Sequence, residues 1–439
     1  RGGSPLLKPL WGTSSGEPPR PCSSRRGAMA PSAEEAEAAD AAAPGPCGGG
    51  KLRGWEFWRA IGSPRFVAAP MVDQSELPFR MLCRRYGTQL AYTPMLHSRL
   101  FRDSAKYRQE HFTTCPEDRP LFAQFCGDDP ETLVAAAQQL PVGSCDAVDL
   151  NFGCPQGIAR KGHYGAYLLS ERDLLERIVR ALDASLAVPV AVKMRLVNKQ
   201  DLQDTVNLAS ALEAAGASVV CLHGRTKEEK GQHQKGCDWD AIAAVRRRIR
   251  VPMIANGGVR TYEDATRCLE VTGCDAVMSS EALLENPGLF APSSCSRDSG
   301  RRSLLLQEDL ASEYLELAKA HGCQSKCVKA HMFHFLYAAL QLHTDLRSQL
   351  GQAKGIDEMA AVNEALRRRR AEDRAGGVQW PETGWYMRYR EPLRCPEEKE
   401  RKKRKAQEAE ADAEAVRGGP GAEAADEQAS KRPAVGAPA

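Results

Sequence analysis

One cysteine in a tight turn is the residue of this chain best suited to chemistry. Cys154 stands between Gly153 and Pro155, directly after an apolar, strand-like run that ends at Asn151. Cysteine thiols ordinarily have a pKa of about 8.5, so most are protonated at neutral pH and can donate a proton. Most free cysteines are buried and inert, and we expect this of the other cysteines among the fifteen. The sequence therefore predicts Cys154 as a general acid.

Polar residues follow most of the other strand-like runs. Lys193 and His223 are suited to contact an anionic or electron-rich ring, and Gln124 and Asn151 to bind its carbonyl and N–H edge. Small residues after the last two runs, Gly257-Gly258 among them, would let backbone N–H groups approach a phosphate. Each residue alone is more often structural, but together they fit a phosphorylated flavin, FMN.

The pattern around these residues predicts an α/β fold. Eight short apolar runs alternate with amphipathic helical stretches between residues 66 and 290. The predicted strands are residues 66–69, 90–93, 121–125, 147–151, 190–194, 218–224, 251–257 and 276–280, and the predicted helices include 130–140, 171–186, 205–215, 239–249 and 262–271. This alternation predicts a closed (β/α)8 TIM barrel with its site at the carboxyl ends of the strands. An open doubly wound sheet is the alternative, but the glycine fingerprint of dinucleotide-binding sheets is missing.

A second domain is expected after the barrel, which we assign to residues 51–292. Apolar residues at three- and four-residue intervals predict helices over residues 303–321, 328–352 and 356–373. The sequence therefore predicts a C-terminal helical domain over residues 303–374.

Both ends of the chain have the composition of disordered segments. Residues 1–50 are rich in Gly, Pro, Ser and Ala, and residues 375–439 are expected to form a linker and a charged tail. Met29 is the first methionine, so residues 1–28 are interpreted as a leader upstream of the start, with an organelle transit peptide as the alternative. The basic run Arg401–Lys405 resembles a nuclear import signal, so a cytoplasmic or nuclear location, or both, is expected.

Composition limits the classes of function. The chain has 439 residues, 42% of them hydrophobic, with 60 Lys and Arg against 57 Asp and Glu. A net charge of +3 means that a nucleic-acid site must come from local clustering. The run Arg367–Arg370 is one such cluster, unless it is only a solvated helix end.

No apolar run approaches the roughly 20 residues of a membrane helix, and the scattered cysteines form no disulfide or zinc pattern. We expect a soluble, intracellular protein without a metal site.

The loop after Cys154 is a second candidate for substrate contact. Residues 156–166 combine glycines with two cations, a histidine and an aromatic ring. Such a loop could act as a lid that holds a nucleotide base and its phosphate. A solvated loop is an equally good interpretation of the composition.

At this point an ordered set of motifs resembles a known family. The motifs are APMVD at residues 69–73, QFC at 124–126, DLNFGCP at 149–155, VKMR at 192–195, HGRT at 223–226 and NGG at 256–258. In this order they resemble the tRNA-dihydrouridine synthases, over roughly residues 64–345. KGHYGA at 161–166 and YTPMLH at 92–97 resemble the eukaryotic branch that acts on D-loop uridines, at tRNA positions 16 and 17.

The resemblance implies a function and a mechanism. Family members reduce FMN with NADPH and then reduce the 5,6 double bond of a uridine in tRNA. The flavin N5 delivers hydride to C6, and the cysteine that corresponds to Cys154 protonates C5. The helical domain clamps the tRNA against the barrel, and one chain suffices for this, so a monomer is expected.

The resemblance also implies a set of contact residues. The expected flavin contacts are Pro70, Met71, Val72, Gln124, Lys193, His223, Asn256, Gly257, Gly258, Ser280 and Glu281. The expected tRNA contacts are Asn151, Lys161, His163, Tyr164, Arg195 and Arg225. The Ser280-Glu281 pair departs from the Gly-Arg common in bacterial members, and an acidic side chain beside a phosphate would be repulsive unless it turns away. Two other functions stay open: a small-molecule flavin oxidoreductase, and a catalytically idle RNA-binding barrel protein.

Overall fold

The strands form a closed barrel in the computed structural model, which describes residues 50–231, 236–291 and 307–378. In chain order the strands are β1 Phe66–Ala68, β2 Leu90–Tyr92, β3 Leu96–His97, β4 Leu121–Cys126, β5 Ala147–Phe152, β6 Val190–Arg195, β7 Ala217–His223, β8 Met253–Asn256 and β9 Ala276–Ser279. All pairings are parallel; β1 pairs with β2 and β9, and β2 pairs with β4, which completes the ring. The predicted closed barrel is therefore confirmed, and the open sheet is wrong.

The second barrel strand is interrupted by a bulge that the sequence pattern did not predict. Both β2 and β3 pair with β4, with Tyr92 opposite Phe122 and Leu96 opposite Phe125. Residues 93–95 thus face only residues 123–124, as in a β-bulge. The bulge lets Met95 line the cavity described below.

The barrel interior is apolar at one end and polar at the other. Inward-facing strand residues alternate with outward ones, as the two-residue repeat of a strand requires. The apolar residues inside form one buried cluster with Phe57 and Trp58 of helix α1, Gly54–Ala60. Phe57 stacks on Phe122 near the start of β4, with ring centroids 5.9 Å apart. Helix α1 therefore packs against the amino-terminal end of the barrel and leaves the carboxyl end for polar side chains.

Helices cover the outside of the barrel and follow it. They are α2 Leu77–Arg85, α3 Ser98–Asp103, α4 Ala105–His111, α5 Pro130–Ala137, α6 Gly157–Lys161, α7 Arg172–Ser185, α8 Leu202–Ala214, α9 Trp239–Arg246, α10 Tyr262–Thr272, α11 Glu281–Glu285, α12 Gln307–His321, α13 Ser325–Phe335, α14 Tyr337–Leu342, α15 Thr344–Gln352 and α16 Ile356–Ala375. The large outer core lies between these helices and the outward faces of the strands.

The helix predicted over residues 328–352 is wrong, because the chain forms three helices there. Helix α13 ends before Leu336 and α14 ends before His343, whose ψ of 71° is not helical. The His343 Nε2 atom lies 3.0 Å from Asp373 Oδ2 on α16. This contact fixes the turn between α14 and α15. The spacing of apolar residues along the sequence cannot predict such a contact between distant residues.

The helical segment packs directly on the barrel through a partly buried polar contact. Glu76, which precedes α2, accepts a 2.5 Å hydrogen bond from the Tyr314 hydroxyl of α12 and contacts His331 Nε2 of α13 at 3.0 Å. The His331 ring stacks on Phe79 with centroids 4.5 Å apart. Helix α2 therefore connects the first barrel strand to the helical segment.

Several predictions concern parts of the chain outside the described ranges. These are the disordered ends, over residues 1–49 and 379–439, and the basic run Arg401–Lys405. Within the described ranges no helix is long and apolar enough to cross a membrane, and no group of acidic, histidine or cysteine side chains is arranged to bind a metal.

Candidate active site

A cavity of about 320 Å³ opens at the carboxyl ends of the barrel strands. Its lining includes every residue predicted to contact the flavin: Pro70, Met71, Val72, Gln124, Lys193, His223, Asn256, Gly257, Gly258, Ser280 and Glu281. It also includes Cys154, Asn151, Arg195 and Arg225. Three predicted tRNA contacts, Lys161, His163 and Tyr164, lie outside this lining. The fold thus brings most of the predicted site residues to one cavity.

Hydrogen bonds on several sides hold the turn that carries Cys154. The side-chain Oδ1 of Asn151 accepts hydrogen bonds from the backbone N–H groups of Gly153 (3.1 Å) and Cys154 (2.9 Å). Arg195 Nε donates to the Gly153 carbonyl at 2.9 Å, and the amide of Ala166 donates to the Cys154 carbonyl at 3.0 Å. The thiol is half-buried at the cavity wall. Contacts within the protein therefore fix the turn.

Gly165 lies so close to Cys154 that only glycine fits. Its φ is +70°, and a Cβ at this position would lie 2.7 Å from the Cys154 carbonyl oxygen and 2.9 Å from the Cys154 Cβ. The loop predicted as a lid therefore packs its backbone against the cysteine. Tyr164, beside it, is buried in a small cluster with Cys126 and Ala159.

A chain of side-chain hydrogen bonds runs from the cysteine turn into the barrel. Asn151 Nδ2 donates to Gln124 Oε1 at 2.8 Å, and Gln124 Nε2 donates to Asp149 Oδ2 at 2.8 Å. Gln124 and Asp149 are fully buried. Burial raises the pKa of Asp149 to about 7, although the hydrogen bond from Gln124 and the charge of Lys193 act in the opposite direction.

Sequence reasoning missed Asp149. The signal was present, because residues two apart on a strand share a face and Asp149 stands two before Asn151. A carboxylate at that position had to point into the barrel beside the predicted site.

Lys193 is a half-buried cation on the cavity wall. Its Nζ donates to Asn256 Oδ1 at 3.0 Å, and Asn256 Nδ2 donates to the Met278 carbonyl at 3.1 Å. Burial lowers the pKa of Lys193. An ammonium group has three N–H donors, and Asn256 accepts from one of them. Lys193 is therefore suited to bind an electron-rich ligand atom in the cavity.

The turn after β8 approaches its neighbours too closely for side chains. Gly257 has a φ of +103°, and a Cβ there would lie 2.7 Å from the His223 ring. The Arg225 guanidinium lies 3.0 Å from His223 Nε2. Ser279 at the end of β9 donates to the Val259 carbonyl at 3.1 Å, which holds the two turns together. A glycine turn of this kind, with the His223 ring and the Arg225 guanidinium beside it, fits a phosphate group.

The remaining predicted tRNA contacts lie after Cys154, where Lys161 ends helix α6 and His163 and Tyr164 follow the helix. The His163 Nδ1 and Nε2 atoms lie 2.7 Å from Asp128 and from Glu171, respectively, and these hydrogen bonds raise the pKa of His163. His163 thus links the loop to two acidic residues, while Lys161 is exposed to solvent. Of the two side chains, Lys161 is the better placed to meet a phosphate.

Comparisons with known proteins bear on the family of this chain. A family model for dihydrouridine synthase matches residues 67–372. The chain is 46% identical over 328 residues to a tRNA-dihydrouridine(16/17) synthase-like protein of Rattus norvegicus, a match that covers 74% of this chain and 72% of that protein. It is 42% identical to the tRNA-dihydrouridine(16/17) synthase of Schizosaccharomyces pombe, over 69% of this chain and 76% of that protein. A tRNA-dihydrouridine(20a/20b) synthase-like protein of Homo sapiens is 38% identical, over 51% of this chain and 70% of that protein. The chain therefore belongs to the dihydrouridine synthase family.

Proposed function

We propose that this protein reduces D-loop uridines of tRNA, at positions 16 and 17, to dihydrouridine with FMN as cofactor and NADPH as reductant. The observation that carries the proposal is the fixed Cys154 turn on the wall of a cavity that is also lined by a half-buried lysine and a glycine turn. The 16/17 relatives align over 69–74% of this chain, against 51% for the 20a/20b relative, which favours positions 16 and 17.

The cavity residues fit FMN by their chemistry. When bound, FMN supplies the hydride that is transferred to C6 of the uridine. Lys193 and Gln124 would hold the polar edge of the flavin ring, and Pro70, Met71 and Val72 would contact the ring from the end of β1. The turns at Gly257-Gly258 and Ser280 would bind the phosphate through backbone N–H groups, so that Glu281 need not contact it.

Cys154 supplies the proton in this proposal. Its thiol donates the S–H proton to C5 of the uridine as C6 receives hydride. The C5–C6 double bond becomes a single bond, each carbon gains one C–H bond, and Cys154 is left as a thiolate. The Arg195 guanidinium holds the same turn and stabilises that thiolate by its charge. Water from the cavity mouth returns the proton. The target uridine must leave its stack to reach the cavity.

The helical segment offers a basic groove for the rest of the tRNA. Lys326, Lys329 and Lys354 line a cavity of about 540 Å³ between α13 and the end of α15. Lys326 lies 3.8 Å from Asp73, which follows Val72 of the active-site lining. The groove therefore begins beside the mouth of the barrel, where RNA phosphates would be held.

The arginine run on α16 is engaged in contacts within the protein. Arg367 lies 2.6 Å from Asp309, Arg369 2.5 Å from Asp345, and Arg370 3.0 Å from Glu308. We therefore place the main tRNA contact of this segment on the lysine groove, and give Arg367, Arg369 and Arg370 a structural role.

The replacement of Cys154 by alanine tests the proposed chemistry. Purified Cys154→Ala should retain the visible absorption bands of flavin and its reduction by NADPH. Dihydrouridine formation in unmodified tRNA, measured by mass spectrometry of nucleosides, should fall about 10²- to 10⁴-fold, as expected for loss of a general acid. Cys115→Ala, which removes a half-buried thiol outside the cavity lining, is the matched control and should leave activity unchanged.

The same assay distinguishes the other two functions. Colourless wild-type protein that binds tRNA would favour the idle RNA-binding barrel. Turnover of free uridine or uracil at the rate seen with tRNA would favour a small-molecule oxidoreductase. Dihydrouridine mapped to positions 20a or 20b would contradict the assignment to positions 16 and 17.

A further inference from the structure

We propose that Asp149 is a positioning residue, which fixes Cys154 through a hydrogen-bonded chain of one polarity that passes through Gln124 and Asn151. This inference rests on the proposed role of Cys154 as the proton donor. It assigns a task to a buried carboxyl group that the mechanism above does not use.

The polarity of the chain is set at the cysteine turn. Asn151 Oδ1 accepts from two backbone N–H groups, so the Asn151 amide cannot flip without losing both bonds. Its Nδ2 must then face Gln124, which has to present an oxygen. Gln124 therefore directs its own NH₂ group to residue 149, and only an acceptor there completes the chain.

A carboxyl group is the side chain that meets this requirement in both of its protonation states. Asp149 Oδ2 accepts from Gln124, while Oδ1 has no hydrogen-bond partner among the described residues. An ionised carboxylate only accepts hydrogen bonds, and a proton on Oδ1 leaves Oδ2 free to accept. An asparagine completes the chain only when its oxygen faces Gln124, and the hydrogen bond to Gln124 is lost when its NH₂ group faces Gln124 instead.

Burial supports a positioning role over a purely structural one. Asp149 and Gln124 are both fully buried in the barrel, where an apolar residue would fold at lower cost than a carboxyl group with one unsatisfied oxygen. The chain ends on the backbone of Cys154, at 2.9 Å from its amide nitrogen. The buried carboxyl group of Asp149 therefore helps to fix the orientation of the Cys154 turn.

The test compares Asp149→Asn with a double variant that restores a hydrogen bond between residues 124 and 149 with donor and acceptor exchanged. Asp149→Asn should keep bound flavin and its reduction by NADPH, while dihydrouridine formation falls about tenfold. The rate at which iodoacetamide alkylates Cys154 in tRNA-free protein, followed by mass spectrometry of its peptide, should change at least about threefold. The double variant Gln124→Glu, Asp149→Asn places an acceptor at both ends of residue 124 and a donor at 149. It should return the alkylation rate to that of the wild type, which a general loss of packing would not do.

Asp146→Asn is the matched control, because it also removes a carboxylate, from the residue directly before β5, the strand that carries Asp149. Asp146 Oδ2 accepts from the Leu121 amide at 2.6 Å and is not part of the cavity lining. This variant should leave the alkylation of Cys154 unchanged.

The outcomes separate this inference from the proposed function. Wild-type alkylation and turnover in Asp149→Asn, together with an inactive Cys154→Ala, would overturn the role of Asp149 alone. Full activity in Cys154→Ala would overturn the assignment of the acid. If Asp149→Asn fails to fold by circular dichroism, the double variant decides: a folded protein with the wild-type alkylation rate supports the chain, and any other result contradicts it.

Discussion

Gly257 and the imidazole of His223 approach each other so closely that no side chain can be added at residue 257. The backbone of Gly257 has a φ of +103°, and a Cβ there would lie 2.7 Å from the His223 ring and 2.9 Å from Cys237 Sγ. We expect Gly257→Ala to displace the ring and close part of the proposed phosphate site. FMN affinity, measured by fluorescence titration of the apoprotein, should fall at least about tenfold, equivalent to about 1.4 kcal/mol.

Gly273→Ala provides the control for backbone strain alone. Gly273 caps α10 with a φ of +63°, and a Cβ there would meet nothing within 4 Å. This variant should lose about 1–2 kcal/mol of stability, because its backbone is left-handed, and keep its FMN affinity. Equal loss of FMN affinity in both variants would contradict a specific role for the His223 contact.

Residue types at strand ends were predictable, whereas their partners were not. Gln124 and Lys193 were assigned from position and chemistry and Asn256 from the family resemblance, and all three line the cavity. Lys193 lies on β6 and Asn256 on β8, so their pairing depends on the registers of β6 with β7 and of β7 with β8, which a single sequence does not give. The acidic partners of His163 come from two other loops and were invisible for the same reason.

At the scale of elements, helix α13 and the turn after α15 form the basic groove. Lys329 and Lys354 line it, and Lys329 Nζ also donates to the Gly351 carbonyl at 2.8 Å. We expect the double variant Lys329→Glu, Lys354→Glu to bind unmodified tRNA about tenfold more weakly at about 100 mM salt, because two phosphate contacts become repulsive. The slope of log affinity against log salt should decrease by about one for each lysine.

Arg180→Glu on α7 is the control for a general change in charge, since Arg180 is 63% exposed and lies outside the groove lining. Unchanged binding in the lysine variant, measured by fluorescence anisotropy, would remove the groove from the tRNA interface. Weaker binding in an Arg369→Gln variant than in the lysine variant would return the interface to α16.

The existence of elements was easier to predict than their interruptions. Apolar periodicity identified all eight barrel strands and the three helical regions after them. The break at His343 and the bulge at residues 93–95 arise from contacts with α16 and β4, respectively. Such contacts join parts of the chain that a local pattern treats separately.

At the scale of the whole molecule, the contact of Glu76 with α12 and α13 couples the barrel to the helical segment. Burial would raise the pKa of Glu76, but the charge on His331 and the hydrogen bonds from His331 and Tyr314 outweigh it, and the pKa is lowered from 4.5. A lowered pKa means that the carboxylate stabilises the folded state. This contribution is complete above about pH 4.5 and is lost as the pH falls through the lower pKa of the folded state.

Glu76→Gln should therefore be less stable than the wild type at pH 7, and this difference should shrink in acid. We expect a loss of about 2 kcal/mol at pH 7, the usual value of a hydrogen bond to a charged group. Thermal unfolding of both proteins from pH 7 to pH 3 measures the difference, which should narrow below about pH 4.5. Asp73→Asn, which removes a carboxylate that is 52% exposed and 3.8 Å from Lys326, should show little difference at any pH. A difference in stability between Glu76→Gln and the wild type that stays constant from pH 7 to pH 3 would show that the ionised carboxylate does not hold the barrel and the helical segment together.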